Sequence, residues 1–364
     1  MNLVIKNVMM LTSDCGHKTR QTIAIKGEKF VQYEPGMDAN ADHIIDGQKY
    51  NAIPGLIDFH THLFTHGSGF GVNPDLLYST GVTTAVDMGT AGRANFDAFY
   101  MTDILPRQMR VKSFLNISPI GQPGKGIYEP LCKSCFAETE MEQILDRYRE
   151  NIVGLKVRLS KEIVGELDLE PLKDAIAMGD RWNLPVAVHT TNPPASPETF
   201  VQYLRPGDIY LHTFQGKGYT ILDNHGHVLP EVRKAQEEGV LFEVGQGRFN
   251  LDDEIVQKAI EDNFFPDIIS TDATARTLFV FEPMKSLPNL ASKFLGWGMK
   301  RRSVYDAVIT TPAKVLKVNN ELGLIQPGYE ADVCLYEIKE NTIVPRLTIS
   351  RGQVVFCSPT TRVD

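Results

Sequence analysis

Cysteine is scarce. Five in 364 residues, an odd number without the spacing of a small stapled domain, exclude a disulfide framework and read as thiols in a reducing, cytoplasmic compartment. Cys132 and Cys135 would suit a metal or redox pair, but no second pair accompanies them, and two ordinary loop thiols are the plainer expectation. A positive balance is also missing. The formal charge is -8 and no basic stripe appears, which excludes a nucleic-acid partner, because phosphate binding rests on clustered Lys and Arg that release counterions. No apolar run approaches the roughly 20 residues that span a bilayer, and the opening MNLVIKNVMMLTSD has no basic segment followed by an apolar stretch, so neither membrane insertion nor export is expected. Repeats and low-complexity stretches are absent too. What remains, 42% hydrophobic and 23% charged residues, is the composition of a globular protein with a large core.

Two patterns divide the chain. Residues 1–52 alternate apolar and polar in short pieces (LVIKNVMML, QTIAIKG, FVQYEP, HIIDG), the mark of small antiparallel strands. From 53 onward, apolar runs of a strand's length alternate with stretches of helical spacing. The runs are IPGLIDFH, VTTAVDM, VKSFLNISPI, IVGLKVRL, PVAVHT, DIYLHTF, VLFEVG and DIISTDA. Eight such units predict a closed (β/α)8 barrel over 53–318. An open doubly wound sheet is the alternative, but its usual Gly-rich phosphate loop after the first strand is missing. Beyond a helical region at 282–318, ADVCLYEI, IVPRLTISRG and QVVFC read as strands again. The chain ends, 1–52 and 319–364, are therefore expected to share a small β-sandwich domain. The longest loop, GQPGKGIYEPLCKSCFAE, follows the third strand, where such a length suits a segment that covers a site.

The chemistry concentrates at strand ends. In Asp58-Phe59-His60-Thr61-His62 the strand period of two sends His60 and His62 to one face, where they can grip a cation or simply hydrogen-bond within a core. Lys156 lies in the fourth strand, His189 ends the fifth, His212 the sixth and Asp272 the eighth. In a barrel these ends converge on one mouth. An ammonium inside an apolar strand costs several kcal/mol, on the order of a buried unpaired ion, unless paired or neutralised. Lys156 therefore either pairs with Asp58 or Asp87, or sits neutral as an amine with a lowered pKa. A Schiff-base role has no use for four converging imidazoles. Arg158 shares the face of Lys156 and is the candidate for a substrate carboxylate, or else pairs with a barrel acid.

These residues, in this order on these strands, resemble the amidohydrolase superfamily over nearly the whole chain, and PGLIDFHTH and GLIQPGYEADVCLYE look like its flanking segments. The resemblance implies two divalent ions, zinc by default. It assigns His60, His62 and Asp272 to one ion, His189 and His212 to the other, and Lys156, carrying a CO2-derived carbamate, to both. Two such ions about 3.6 Å apart repel by on the order of 20 kcal/mol at an effective dielectric near 20, which is why anions must bridge them. The resemblance further implies attack by a metal-activated hydroxide, with Asp272 as proton carrier. Within the superfamily GLKVRLS, HTFQGKG and STDAT look similar to deacetylase-like members, related to dihydroorotases, that release acetyl from amides or esters of small carboxylic acids. A dihydroorotase carries an Arg shortly after its HxH; here Leu63, Phe64 and Thr65 stand there. A cyclic amidohydrolase is the alternative activity. A non-catalytic scaffold predicts a broken ligand set, and none of the six positions is missing. The expected partner is a small, anionic substrate, and barrels of this kind commonly form homo-oligomers. Arg93, Lys217, Arg248 and His66 could reach a substrate, whereas His225 and His227 in the polar DNHGH loop read as surface or lid residues.

Overall fold

The computed structural model describes residues 2–11, 18–124, 126–280 and 286–359; residues 282–285 of the expected helical region lie outside them, as do 360–364 of the expected β-domain. The strands, in chain order, are β1 (Asn2–Leu11), β2 (Lys18–Lys26), β3 (Lys29–Val31), β4 (His43–Asp46), β5 (Asn51–Pro54), β6 (Leu56–Thr61), β7 (Val82–Gly92), β8 (Arg110–Asn116), β9 (Ile152–Arg158), β10 (Val186–His189), β11 (Ile209–Leu211), β12 (Leu241–Phe242), β13 (Val333–Lys339), β14 (Thr342–Ser350) and β15 (Gln353–Cys357). Two compact units emerge: Met1–Asp58 with Pro74–Ala85 and Ser286–Asp364, and Phe59–Asn73 with Val86–Lys285.

In the first unit both chain ends enter one mixed sheet of order β15-β14-β13-β5-β1-β2-β3, with β4 added beside β1. β1 runs antiparallel to β2 and parallel to β4 and β5. The alternation read from the sequence has a direct consequence here. Leu3, Ile5, Val8, Ile25 and Ile45 from the first segment bury against Val333, Leu335, Leu347 and Ile349 from the last, so neither end completes this core alone.

The second sheet runs β6 to β12 in sequence order, and the pairs from β8 to β12 are parallel. Every residue of β6 and β7 is buried, as near-continuous apolar strands covered on both faces should be. The eighth run, DIISTDA, forms no regular strand. Isolated parallel bridges join Ile268 to Glu243 and Ala273 to Thr61, closing the ring between β12 and β6. A left-handed backbone at Asp272, φ +52°, interrupts the ladder that a strand would need. The crossover helices α1 (Glu138–Arg147), α2 (Glu170–Trp182), α3 (Pro230–Glu237) and α4 (Asp253–Glu261) each bury residues three apart on one face, such as Leu172, Ala175 and Met178 in α2. Asp252 caps α4 by accepting from the Glu254 and Ile255 backbone N–H groups. The architecture is a (β/α)8 barrel with a β-domain built from both ends. No helix among the described residues is long and apolar enough to cross a membrane.

One buried carboxylate ties adjacent barrel strands together. Asp208, just before β11, accepts from the Val186 N–H at 2.7 Å, from the Arg205 N–H at 2.7 Å, and from Arg205 Nε and Nη2 at 3.0 and 2.8 Å. Removing one partner of a buried pair strands the donors around it. Asp208→Ala is expected to lower unfolding stability by about 3 kcal/mol; a loss under about 1 kcal/mol in urea titrations would show that the cluster only decorates the strand ends.

Candidate metal centre

The six residues singled out in the sequence all belong to the second unit, and the barrel brings them to one mouth. His60 and His62 leave β6 on the same side, with ring centroids 5.4 Å apart. His212 follows β11 in a left-handed conformation, φ +62°. Its ring stands 4.9 Å from His60 and 4.4 Å from His189, which ends β10. Asp272 Oδ1 lies 3.1 Å from His62 Nε2 and 3.6 Å from His60 Nε2. Ligating atoms of His60, His212 and Asp272 all fall within 4.8 Å of one another, the spacing of a site that could hold a metal ion. His212 and Asp272 share an uncommon backbone region for non-Gly residues, of the kind that clusters at functional sites.

Lys156 is fully buried in β9, and its Nζ has no hydrogen-bond partner among the described residues. Neither ion pair considered from the sequence, with Asp58 or Asp87, forms. Burial pushes the amine down to about 7, against the opposing pull of Glu243 and Asp272. Its stem fits because residue 89 is Gly: a Cβ there would lie 2.5 Å from Lys156 Cβ and Cγ, and the backbone holds φ +76°. Burial also lowers His60 and His189 well below the usual imidazole range and His212 to about 3. Burial alone would raise the Asp272 carboxyl, but His60 and the hydrogen bond from His62 hold it below the ordinary range. Neutral imidazoles, a neutral amine and an ionised carboxylate are the protonation states a divalent cation requires. Nitrogen and oxygen donors without thiolate suit zinc and its neighbours.

Arg158 lines a cavity of about 990 Å³ together with His62, His189, His212, Asp272 and Phe70. It also donates to Glu129, a buried acid on the loop after β8. The remaining candidates divide. Arg248 lines the same cavity, whereas Lys217, also at its wall, pairs with Glu162. Arg93 is engaged by Glu140 and the Phe136 carbonyl. His66 is exposed and bonded to Thr65, and His227 lies at the surface facing Asp262. Cys132 and Cys135 are not the two thiols expected: a short turn brings their Cα atoms to 5.5 Å, within disulfide reach, and they are bonded.

Sequence reasoning missed several residues. Glu243, fully buried beside His60, carried a signal, since an acid inside the apolar run VLFEVG is costly without partners. Thr90 lies 2.8 Å from His62 Nδ1 and Asp87 accepts from the Thr90 N–H. Nothing in VDMGT marks Thr90, and Glu129 sits in an irregular loop without periodicity.

Residues 51–355 match the amidohydrolase family. A deacetylase of Brucella anthropi is 29% identical over 97% of this chain and 88% of its own length. A deacetylase of Agrobacterium fabrum is 30% identical over 91% of this chain and 81% of that protein. Among solved structures, a dihydroorotase superposes with a TM-score of 0.84 at 25% identity, covering 98% of both chains. An adenine deaminase, TM-score 0.87 at 24% identity over 97% of this chain and 98% of that one, shares the fold. The chain belongs to the amidohydrolase family. It is accordingly a hydrolytic enzyme, in a family that acts on C–N bonds.

The buried imidazoles make metal-free stability depend on pH. An imidazole lowered in the folded state binds its proton more readily when unfolded, so the stability it carries is present above about 6.5 and lost as pH falls toward its folded value. Glu243, raised by burial to about 7, opposes this by favouring the folded state increasingly as pH falls from 7. Three strongly lowered imidazoles outweigh Glu243 together with Asp87, Glu129 and Asp267, whose carboxyls burial also raises. The Tm of chelated protein should therefore fall between pH 7 and 5, with a shallower slope for His189→Gln; a flat or rising Tm would contradict these protonation states.

Proposed function

We propose that this enzyme is a binuclear metal-dependent hydrolase that removes an acyl group, acetyl first among them, from an amide or ester of a small carboxylic acid. The observation that carries the reading is the Lys156 amine, fully buried and without a hydrogen-bond partner, among four imidazoles and Asp272. In this reading His60, His62 and Asp272 hold one divalent ion, His189 and His212 the other, and Lys156 serves both. A neutral amine attacks the carbon of CO2 and loses a proton, giving a carbamate whose two oxygens suit a bridge. Zinc is the favoured ion. Bound ions of this kind supply a water acidified from 15.7 to about 7 and a Lewis acid for the scissile carbonyl.

The chain's own groups do the rest. Asp272, set between His60 and His62, takes the proton released when water adds and passes it to the leaving nitrogen or oxygen. Arg158 is the residue proposed for the substrate carboxylate. Its fork has five N–H donors; the nitrogen Nη1 is engaged by Glu129, and the side chain lines the cavity, which leaves Nη2 for a carboxylate. The alternative, a cyclic amidohydrolase, draws support from the dihydroorotase likeness. Against it, Leu63 and Phe64 are buried, and Thr65 donates to Asp103, so the segment after the HxH presents no cation.

Lys156→Ala is expected to lose at least one ion per chain by elemental analysis, together with activity; a fully metallated, fully active variant rules out the bridge. Asp272→Asn should lower kcat by roughly 10²–10⁴ even where metal remains, because the proton carrier is gone. N-acetyl and O-acetyl carboxylic acids assayed beside hydantoins and dihydroorotate separate the two activities, and turnover of the cyclic amides alone would overturn the acyl reading.

A further inference from the structure

On the reading just proposed the seventh strand position contributes no ligand, yet it touches two. Glu243, directly after β12 and fully buried, accepts through Oε2 from the His212 backbone N–H at 3.2 Å and through Oε1 from the Ser270 hydroxyl. The same Oε1 lies 3.2 Å from His60 Nδ1. Two residues on, the Gly245 carbonyl lies 3.0 Å from His212 Nδ1. A carbonyl only accepts, so His212 carries its hydrogen on Nδ1 and keeps the lone pair on Nε2. The approach is too close for any other residue: a Cβ at Gly245 would stand 2.8 Å from both Glu243 oxygens and from His212 Nδ1. His60 is arranged alike, with Nδ1 toward Glu243 and Nε2 toward Asp272.

We infer that Glu243 is a positioning residue which, together with the Gly245 carbonyl, holds His60 and His212 as Nδ1–H tautomers, so that both Nε2 lone pairs face the ion site before any ion arrives. Two ligands from different strands, assigned to different ions, are thereby set by one short segment. A carboxylate behind an imidazole fixes the ring and raises its basicity, and loss of such a partner typically costs roughly 10–100-fold in metal affinity. Thr90, a hydroxyl that can donate or accept, imposes no such choice on His62.

Long-range ¹H–¹⁵N spectra of the chelated protein, assigned with His60→Gln and His212→Gln, read the tautomers directly. Both rings should be Nδ1–H in the wild type. In Glu243→Ala, His60 should shift toward Nε2–H while His212 stays Nδ1–H, and zinc affinity by chelator competition should fall roughly 10–100-fold. An Nε2–H His60 in the wild type, or an Ala variant with unchanged tautomer and affinity, overturns the inference. Should the Ala variant not fold, Glu243→Gln keeps the volume and removes the second acceptor oxygen; weaker zinc binding supports the role and wild-type binding overturns it. Because tautomers are read without metal, a wild-type protein that binds no zinc and hydrolyses nothing sinks the proposed function, while the His60 spectrum still decides this one.

Discussion

Four imidazoles and an amine crowd one barrel mouth, and that crowding constrains everything around it. His60, His62, His212 and Lys156 are buried and His189 stands at the cavity wall. Two unit charges about 5 Å apart repel by about 3 kcal/mol at an effective dielectric near 20, and the ring centroids here lie 4.4 to 5.4 Å apart. Protonating the set together is therefore costly, and burial lowers His60, His189, His212 and Lys156 alike. Groups lowered in this way favour their neutral forms and expose lone pairs. A fold gains nothing in stability from such an arrangement, since leucines in those positions would pack without a desolvation penalty. On the function proposed above, its sense is as a receptor for divalent cations.

The barrel makes the crowding possible because strand ends are held by both neighbours and cannot relax away from one another. Where regular strand geometry would aim a side chain wrongly, the backbone departs from it. His212 and Asp272 both adopt positive φ, and at Asp272 the departure replaces the last strand with isolated bridges. The cost of such conformations, on the order of 1–3 kcal/mol each, persists only where the surroundings over-determine them. Here Glu243 binds the His212 N–H, and Asn250 donates to Asp272 at 2.9 Å.

What could be read from the sequence follows the same division. The barrel was legible because near-continuous apolar runs of a strand's length alternate with helical stripes of period 3.6, and the convergence of His60, His62, His189, His212 and Asp272 followed from their places at run ends. The eighth run was legible as a segment but not as a broken one, since periodicity carries no φ. Gly89 looked like any glycine until Lys156 was seen to fill the space a Cβ would occupy. The Arg158–Glu129 pair was half visible: parity placed Arg158 at the mouth, but its partner is 29 residues earlier in an irregular loop. Cys132 and Cys135 escaped because compartment reasoning concerns the chain as a whole, whereas bonding concerns two atoms brought together by one turn.

That pair of Arg158 and Glu129 bears on how an anionic substrate would be recognised. On the binuclear reading proposed above, a lone guanidinium beside two divalent ions would add to a strongly positive mouth and attract any anion, phosphate included. An ionised Glu129 would offset that charge and leave the geometry: one nitrogen of the fork is occupied, and the side chain lines the cavity. With Arg158 in the role proposed above, recognition would rest on matching a planar donor edge with a planar acceptor, which a carboxylate satisfies and a solvated halide does not. Specificity gained this way comes with a lower attraction at long range, because net charge steers encounter while fork geometry acts only on contact. Glu129 belongs to the long loop after β8 while Arg158 belongs to β9, so the charge balance of the substrate end can change with the loop while the ring of ligands on the strands stays intact.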